Sequence, residues 1–600
     1  MDRSAKIVLV LVAVGVALLV LGLMASLAVL AVDWRGFIVL LLVTAVLWVT
    51  FKQLRRRLPR RVLLELNIDR APPEQAPHAD AAVVFLPHVL TLRQIVTAVD
   101  RAADDPRVAG LLVRLSPVGL TMAQAQELAE AVGRFRKPGK ATAVWAPTLG
   151  EGHAANAEYY LASAFEEVHL QAGSDVGLIG FSLPQPYART LLDRLGVVPR
   201  LDGRKAYKTA RYPLTEHEMP EPARESLAAV LDSLMTQLTR QVAAGRSMEA
   251  HAVRTLIDRG PMLDQAAVES GLVDHVSYRD EVDTRLKERL RTEPVPLPRY
   301  LSRTAERHRR APQVALIYGL GVVSRGRHRR RQLMSMPRMG DEDIASALRT
   351  AAESDRIKAV VFRIDSPGGS ATASETIWRA VKRTRDAGTP VVVSMGSVAG
   401  SGGYYIAAPA NRIVAQPGTL TGSIGVVSGK LVTRDAWAKL GVNWQTVQAG
   451  EQASMWQASE DFSERQWEML QAMLDAVYER FKERVAQGRN LSAQAVEEVA
   501  QGRIWTGEMA KERSLVDDLG GLSRAIEHAR ELAELPAAQR VQLVEIPSVQ
   551  RLITLQIHPG VAASTTTALD ELAHELQPLT AAFTALDPAR DGWLCMPDYL

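Results

Sequence analysis

The feature that most constrains the fold of this 600-residue chain is an internal repeat. Residues 105–115 match residues 355–364, and residues 159–162 match residues 404–407. Matches this dense at nearly one spacing indicate a duplicated domain, so both halves are expected to share one architecture. At a constant offset of 245, identical residues coincide at four further positions: Gly173 and Gly418, Gly177 and Gly422, Ile179 and Ile424, Gly180 and Gly425.

Each copy alternates short apolar runs with stretches of helical periodicity, for example at 359–364 and 391–394 of the second copy. This alternation predicts βαβ units and a parallel sheet, so the predicted fold class is α/β with two tandem repeats. The content of 47% hydrophobic and 23% charged residues is typical of such globular proteins. The predicted parts are a membrane anchor with a basic flank (1–61), the first repeat (62–276), a linker (277–313), the second repeat (314–535) and a C-terminal tail (536–600).

Two apolar segments lie at the N-terminus. Residues 7–32 carry no charge and would measure about 39 Å as a helix, against a hydrocarbon core of ~30 Å. The 16 residues at 36–51 are short for a span and also fit an interfacial segment. The sequence therefore predicts membrane anchorage, with one span or two. A basic cluster follows, which favours the cytoplasmic face: Lys52, Arg55, Arg56, Arg57, Arg60 and Arg61.

Charge and cysteine content exclude some classes of function. The net charge of +4 is small for this length and argues against a dedicated nucleic-acid binder. The single cysteine, Cys595, excludes an intrachain disulfide and a cysteine-rich metal site. No metal or organic cofactor is expected.

The copies differ at a glycine-rich turn that follows a predicted strand. In the second copy Ser401 lies between Gly400 and Gly402, at the start of a predicted helix. A serine in this setting suits a nucleophile, because glycines let a substrate approach and a helix N-terminus offers N–H donors. The first copy has Asn156 at the matching position. Only the second copy therefore carries a candidate nucleophile here.

A second glycine turn, at Gly368 and Gly369, also follows a predicted strand in the second copy. Consecutive glycines at a strand end can direct backbone N–H groups into a site, as an oxyanion hole requires. An ordinary tight turn is an equally weighted interpretation of this motif alone. In the first copy Val118 interrupts the matching pair. Both turns are thus intact in one copy and degraded in the other.

A serine hydroxyl needs a base, because it is a poor nucleophile when free. Lys208 of the first copy is a candidate, since its matching window in the second copy, residues 452–455, contains no lysine. A lysine acts as a base near neutral pH only when burial or a neighbouring charge lowers its pKa. On sequence alone a lone lysine is more often a surface residue.

The order of these motifs resembles the tandem-repeat form of the signal peptide peptidase A family, bacterial serine proteases with a ClpP/crotonase-like fold. The resemblance covers roughly residues 60–530, and it is carried by 399–404, 207–210, 366–369 and 421–425. It implies that Ser401 is the nucleophile and Lys208 the general base. It further implies that Gly368, Gly369 and Gly402 form the oxyanion hole and that Ser423 orients the lysine. After Ala210 the sequence Arg211-Tyr212-Pro213 departs from the family pattern.

The same resemblance implies a homotetrameric endopeptidase in the bacterial inner membrane that degrades hydrophobic peptides such as signal-peptide remnants. The catalytic part would be extracytoplasmic if one segment spans, and cytoplasmic if both do. The expected partners are peptides and membrane lipid, without nucleic acid. Two alternatives remain. A crotonase-like acyl-CoA enzyme would need neither Ser401 nor Lys208. An inactive membrane scaffold would give no reason to keep one half of a dyad in each repeat.

Overall fold

The computed structural model describes residues 58–76, 89–304, 311–327, 338–536 and 539–547, together with the backbone of 594–595. The strands of the first repeat are β1 (Val62–Ile68), β2 (Val108–Leu115), β3 (Ala141–Ala146), β4 (Glu167–Leu170), β5 (Asp175–Val176), β6 (Val198–Gly203), β7 (Met262–Leu263), β8 (His275–Val276) and β9 (Pro294–Pro296). Its helices are α1 (Leu92–Asp104), α2 (Met122–Arg136), α3 (Asn156–Ala162), α4 (Arg189–Leu195), α5 (Tyr212–Thr215), α6 (Glu221–Arg246), α7 (Ala250–Arg259), α8 (Asp264–Glu269), α9 (Arg279–Leu290) and α10 (Leu297–Thr304).

The strands of the second repeat are β10 (Gln313–Leu320), β11 (Val322–Ser324), β12 (Arg338–Gly340), β13 (Ile357–Ser366), β14 (Gly368–Gly369), β15 (Val391–Gly400), β16 (Arg412–Ala415), β17 (Leu420–Gly422), β18 (Val427–Val432), β19 (Ile504–Thr506), β20 (Asp518–Leu519), β21 (Gln542–Glu545) and β22 (Leu594–Cys595). The helices are α11 (Asp341–Ala352), α12 (Ala371–Asp386), α13 (Gly402–Ala407), α14 (Arg434–Lys439), α15 (Glu464–Arg489), α16 (Ala493–Val499), α17 (Gly507–Glu512) and α18 (Leu522–Leu532).

Each repeat is built on its own sheet, wholly parallel in the first repeat and parallel except for the β17–β19 pair in the second. The first has the order β8-β4-β3-β2-β1-β9, and all of its pairs are parallel. In the second, β10, β13, β15 and β16 follow the same order as β1, β2, β3 and β4. The prediction of two α/β repeats is therefore confirmed.

Central strands and helix starts follow simple sequence rules. The run 359–364 on β13 is buried on both faces, as expected where helices cover both sides of a parallel sheet. Thr91, Thr121 and Ser463 each begin a helix with a capping box completed by a glutamine three residues later. On α15, the side chains of Leu470, Leu474 and Phe481 are fully buried in the core of the second repeat.

The segment predicted as a linker differs from that expectation. Within 277–313, β9 pairs with β1 at the edge of the first sheet, and α9 packs apolar side chains into the first repeat. The prolines of 294–298 indicate a linker in the sequence, but an edge strand tolerates a missing N–H. Similarly, β21 lies in the predicted tail and pairs with β10. Neither the prolines of 294–298 nor a position in the predicted tail therefore prevents a segment from pairing as a strand.

The membrane segments predicted at 7–32 and 36–51 lie outside the described residues. Among the described helices, none has the length and apolarity needed to cross a membrane.

A buried charge cluster joins the two repeats. Arg363 on β13 is 2% exposed and donates to Glu127 on α2 of the first repeat at 2.8 Å. It also donates to Glu74 at 2.7 Å and to the Ser394 hydroxyl at 2.9 Å. The second oxygen of Glu127 accepts from the Leu522 N–H at 2.7 Å. Each charge thus has partners, which a buried ion needs.

Removing one charge from this cluster should destabilise the protein strongly. We expect Glu127→Gln to lower the free energy of unfolding by about 3 kcal/mol or more, because Arg363 loses a buried counter-charge. As the matched control, Asp100→Asn breaks the half-exposed pair with Arg134 and should cost about 1 kcal/mol or less. Chemical denaturation of the full chain in detergent, followed by tryptophan fluorescence, measures both. Equal losses in the two variants would contradict the role of the cluster.

Candidate active site

Ser401 lies in a strained turn between β15 and α13. Its φ is +53°, in the left-handed region that non-glycine residues seldom adopt. The turn is held by the Ser401 N–H, which donates to the Gly422 carbonyl at 2.8 Å. The side chain is completely buried. This is the strand–turn–helix arrangement that the sequence predicted around Ser401.

Lys208 reaches this serine from the other repeat. It follows β6 of the first repeat, and its Nζ donates to Ser401 Oγ at 2.8 Å. The same Nζ donates to the hydroxyl and to the carbonyl of Ser423, both at 3.0 Å. Lys208 is completely buried. Three residues that the sequence singled out therefore meet within one chain.

Backbone pairing between the repeats positions the lysine. Strand β6 pairs antiparallel with β18 of the second repeat, from Val198 opposite Val432 to Gly203 opposite Val427. The pairing continues through the Arg204 N–H, which donates to the Val426 carbonyl at 2.9 Å. Residue 208 therefore enters the second repeat only a few residues after an inter-repeat ladder.

Gly502 lies against Lys208 and was not found by sequence reasoning. Its φ is +84°, and a Cβ there would come within 2.5 Å of the Lys208 backbone nitrogen. Only glycine fits such a close approach. Gly425 lies against the lysine stem in the same way, since a Cβ at that position would be 3.2 Å from Lys208 Cδ. The sequence around Gly502 offers no signal that separates it from an ordinary turn glycine.

The second glycine turn lies beside the serine turn. A Cβ on Gly402 would lie 3.1 Å from the Gly369 nitrogen and 3.2 Å from Gly368 Cα. Gly369, at φ +148°, packs so closely on Val323 that a Cβ would come within 2.2 Å of its carbonyl oxygen. The Gly402 N–H begins α13, and the first N–H groups of a helix have no intrahelical acceptor.

The Gly368 N–H has an acceptor inside its own turn. It donates to the Ser366 hydroxyl at 3.2 Å, a long hydrogen bond. The backbone of Gly368–Gly369 also pairs antiparallel with Leu594–Cys595. The structure thus brings Gly368, Gly369 and Gly402 together beside Ser401, with the Gly368 donor engaged locally.

Asp365 is a partly buried carboxyl that the sequence patterns did not single out. It precedes the second glycine turn, and its Oδ1 accepts the Val398 N–H at 2.9 Å, three residues before Ser401. Burial, with the nearby charge of Glu74, raises the pKa of Asp365 to about 6. The carboxyl therefore links the two turns of the candidate site.

The matching position in the first repeat is structural. The Asn156 amide donates to the Gly180 carbonyl at 2.7 Å, and its oxygen accepts the Gly180 N–H at 3.1 Å. The Asn156 side chain thus closes the turn of the first repeat that corresponds to the serine turn of the second repeat. The asymmetry between the repeats thus corresponds to one Ser–Lys contact in each chain.

Comparisons with known proteins agree with this duplicated organisation. A profile of peptidase family S49 matches residues 136–293 and 383–536, one match in each repeat. The chain is 32% identical over 473 residues to the chloroplastic serine protease SPPA of Arabidopsis thaliana, covering 76% of this chain and 68% of that protein. It is 32% identical over 468 residues to Protease 4 of Salmonella typhi, covering 74% and 72%.

Among solved structures, a ClpP1 mutant from Listeria monocytogenes aligns with 35% of this chain and 94% of its own, at 15% identity and a TM-score of 0.23. That likeness carries no weight in the assignment. The family profile and the two relatives do, because together they extend over both repeats. The chain therefore belongs to peptidase family S49 and is a serine protease of the tandem-repeat type.

Proposed function

We propose that this protease cleaves peptide bonds with a Ser–Lys dyad, in which Ser401 is the nucleophile and Lys208 the general base. The observation that carries the proposal is the 2.8 Å contact between Lys208 Nζ and Ser401 Oγ, both completely buried. Burial disfavours a charged ammonium group, which favours the neutral amine that a base requires. In the neutral form two N–H groups remain for the two Ser423 acceptors, and the Nζ lone pair accepts the hydrogen bond from the Ser401 hydroxyl.

The reaction then follows acyl-transfer chemistry. The neutral Lys208 amine accepts the Ser401 hydroxyl proton as Oγ attacks the scissile carbonyl carbon. The resulting ammonium returns that proton to the leaving amine as the C–N bond breaks, which leaves an ester on Oγ. The regenerated amine next takes a proton from water as the water oxygen attacks the ester. The ammonium then returns that proton to Ser401 Oγ as the ester C–O bond breaks and the acid leaves. Protons and bonds balance without a cofactor.

The oxyanion of the tetrahedral intermediate needs N–H donors. Gly402 N–H supplies one, since it starts α13 directly after the nucleophile. The turn of Gly368 and Gly369 supplies the other. In this proposal the Gly368 N–H exchanges its 3.2 Å bond with Ser366 for the oxyanion, which is the stronger acceptor.

The two alternative functions are weaker. Membership in family S49 removes the acyl-CoA alternative, because these relatives are proteases. An inactive scaffold leaves the buried contact between residues of different repeats without a reason. We therefore retain the protease with its dyad.

The substrate class and the cellular location of the protease are proposed from the sequence. The apolar segments at 7–32 and 36–51 support anchorage in the bacterial inner membrane, where hydrophobic peptides such as signal-peptide remnants are released. By family resemblance the catalytic part is extracytoplasmic, the copies assemble as a homotetramer, and each repeat has a ClpP/crotonase-like fold.

Loss of either member of the dyad should abolish proteolysis. We expect Ser401→Ala and Lys208→Ala each to lower kcat/KM by about 1,000-fold or more, and the double variant to be no worse, because the two residues act as a unit. Peptide cleavage is measured together with circular dichroism. The matched control is Lys205→Ala, three residues away and half exposed, which should keep its activity. A Lys208→Ala variant near wild-type activity would place the base elsewhere.

The pH dependence of kcat/KM should report the base. Lys208 acts only when deprotonated, so activity should rise with pH until the amine has lost its proton, well below the ~10.4 of free lysine. Asp365, with a pKa of about 6, is a second ionisation in this range. Profiles of wild type and Asp365→Asn separate the two, since only the inflection near pH 6 should disappear. A rise centred on the free-lysine value would contradict the proposed base.

Membrane topology can be tested with alkaline phosphatase fusions, which are active only outside the cytoplasm. The motivating observation is the basic cluster that ends at Arg61, directly after the second apolar segment. The extracytoplasmic arrangement predicts an active fusion after Arg61. An inactive fusion after Arg61, together with an active one after Arg35, would instead indicate a hairpin and a cytoplasmic protease.

A further inference from the structure

The pairing between β13 and β15 shifts its register just before the candidate site. The two strands pair in order up to Ile364 and resume at Ser366. Over this step β13 uses one residue, Asp365, whereas β15 uses three, 396–398. A bulge of this kind bends the longer strand and changes the direction of the side chains that follow it. Ser401 comes three residues after the bulge, so the bulge helps to set where the nucleophile lies.

The side chain of Asp365 spans this bulge. Its Oδ1 accepts the Val398 N–H at 2.9 Å. Gly396 leaves room for the carboxyl, because a Cβ there would lie 3.0 Å from Asp365 Cγ. Along the chain, Val398 lies three residues before Ser401, and Asp365 lies three residues before Gly368. A single hydrogen bond therefore connects the serine turn with the second glycine turn.

Hydroxyl groups hold the other residues of the bulge. The Thr419 hydroxyl donates to the Gly396 carbonyl at 2.7 Å. The Ser397 hydroxyl lies 2.7 Å from the hydroxyl of Thr121, which begins α2 of the first repeat. The contact made by Asp365 is the one that comes from the strand leading to the second glycine turn. It therefore fixes the distance between the two turns, while the hydroxyl contacts fix the bulge to its surroundings.

Asp365 is also a point at which the two copies differ. Leu115 matches Ile364 at an offset of 249, whereas Ser116 matches Ser366 at an offset of 250. The extra residue of the second copy is Asp365. In the first copy β2 and β3 pair in continuous register. The carboxyl and the bulge thus belong to the copy that carries the nucleophile, which is expected if they serve it.

We propose that Asp365 is a positioning residue for proteolysis, whose carboxylate holds Ser401 at the distance from the second glycine turn that attack on a carbonyl requires. It acts through the Val398 backbone and not by contact with the substrate. Such a role has a large effect on rate, because misplacing a reacting group by ~1 Å can cost about 100-fold. The inference rests on the proposed function, since it takes Ser401 as the nucleophile.

The charge on Asp365 should matter as well as its position. The charged groups that face it are Glu74 of the first repeat and Arg363 of β13. The facing residues on the neighbouring strands, Leu320 of β10 and Gly396 of β15, carry no charge. Burial and Glu74 raise the pKa of Asp365 to about 6, so the carboxylate is present above that pH and lost below it. Protonation removes the charge that strengthens the hydrogen bond to Val398. A neutral amide at residue 365 should therefore resemble protonated wild type.

Substitutions at residue 365 of the full chain in detergent test this role. We expect Asp365→Ala to lower kcat about 10- to 100-fold with KM changed less than about threefold, because the lost contact aligns the nucleophile and does not bind substrate. Asp365→Asn keeps an acceptor oxygen without the charge. The ratio of kcat/KM between wild type and Asp365→Asn should be about threefold above about pH 7 and close to one below about pH 5. Ionisation of Lys208 is common to both proteins and cancels in this ratio.

The matched control is Asp264→Ala in the first repeat. Asp264 also accepts a backbone N–H, from Gly173 at 2.7 Å, and its loss should leave kcat unchanged. Circular dichroism checks the fold of each variant, and if Asp365→Ala does not fold, the ratio for Asp365→Asn decides. An unchanged kcat in folded Asp365→Ala, or a ratio that stays constant with pH, would overturn the inference. Failure of the proposed dyad would show instead as activity in Ser401→Ala or Lys208→Ala.

Discussion

The candidate active site depends on the hydrogen bond between Lys208 Nζ and Ser401 Oγ, which joins the two repeats inside the protein. The geometry of this hydrogen bond depends on elements of both repeats. The β6–β18 ladder brings the lysine across, Gly502 leaves room for its backbone, and the strained turn holds the serine. At greater distance, the buried cluster around Arg363 ties the second sheet to α2 of the first repeat. A shift between the repeats would therefore act directly on the Nζ–Oγ distance.

Duplication explains how such a site can arise. Two copies of one fold present equivalent positions. The residue at such a position can change in one copy while the other copy keeps the original residue. Asn156 closes its turn with two hydrogen bonds to Gly180, where the second repeat leaves Ser401 open to Lys208. Each repeat thus contributes one of the two groups. The junction between repeats is then part of the site itself.

Much of this organisation follows from the sequence, because repeat offsets, strand–helix alternation and glycine turns are local patterns. Comparing the copies singled out Ser401 and Lys208, and the structure brings them into contact; their chemical roles stay predictions. The rest depends on tertiary contacts that a local pattern does not carry. Gly502 matters only because Lys208 packs on it, and Asp365 only because burial raises its pKa. The sequence predicts a linker where β9 forms an edge strand, because prolines are compatible with both.

The most direct test of the central claim is labelling with a serine-reactive fluorophosphonate, followed by mass spectrometry of the modified peptide. We expect one adduct per chain, on Ser401, and a labelling rate that falls steeply in Lys208→Ala but not in Lys205→Ala. The reason is that Lys208 Nζ contacts the Ser401 hydroxyl, whereas Lys205 is half exposed and pairs with Glu497. An adduct on another serine, or an unchanged rate of Ser401 labelling in Lys208→Ala, would contradict it.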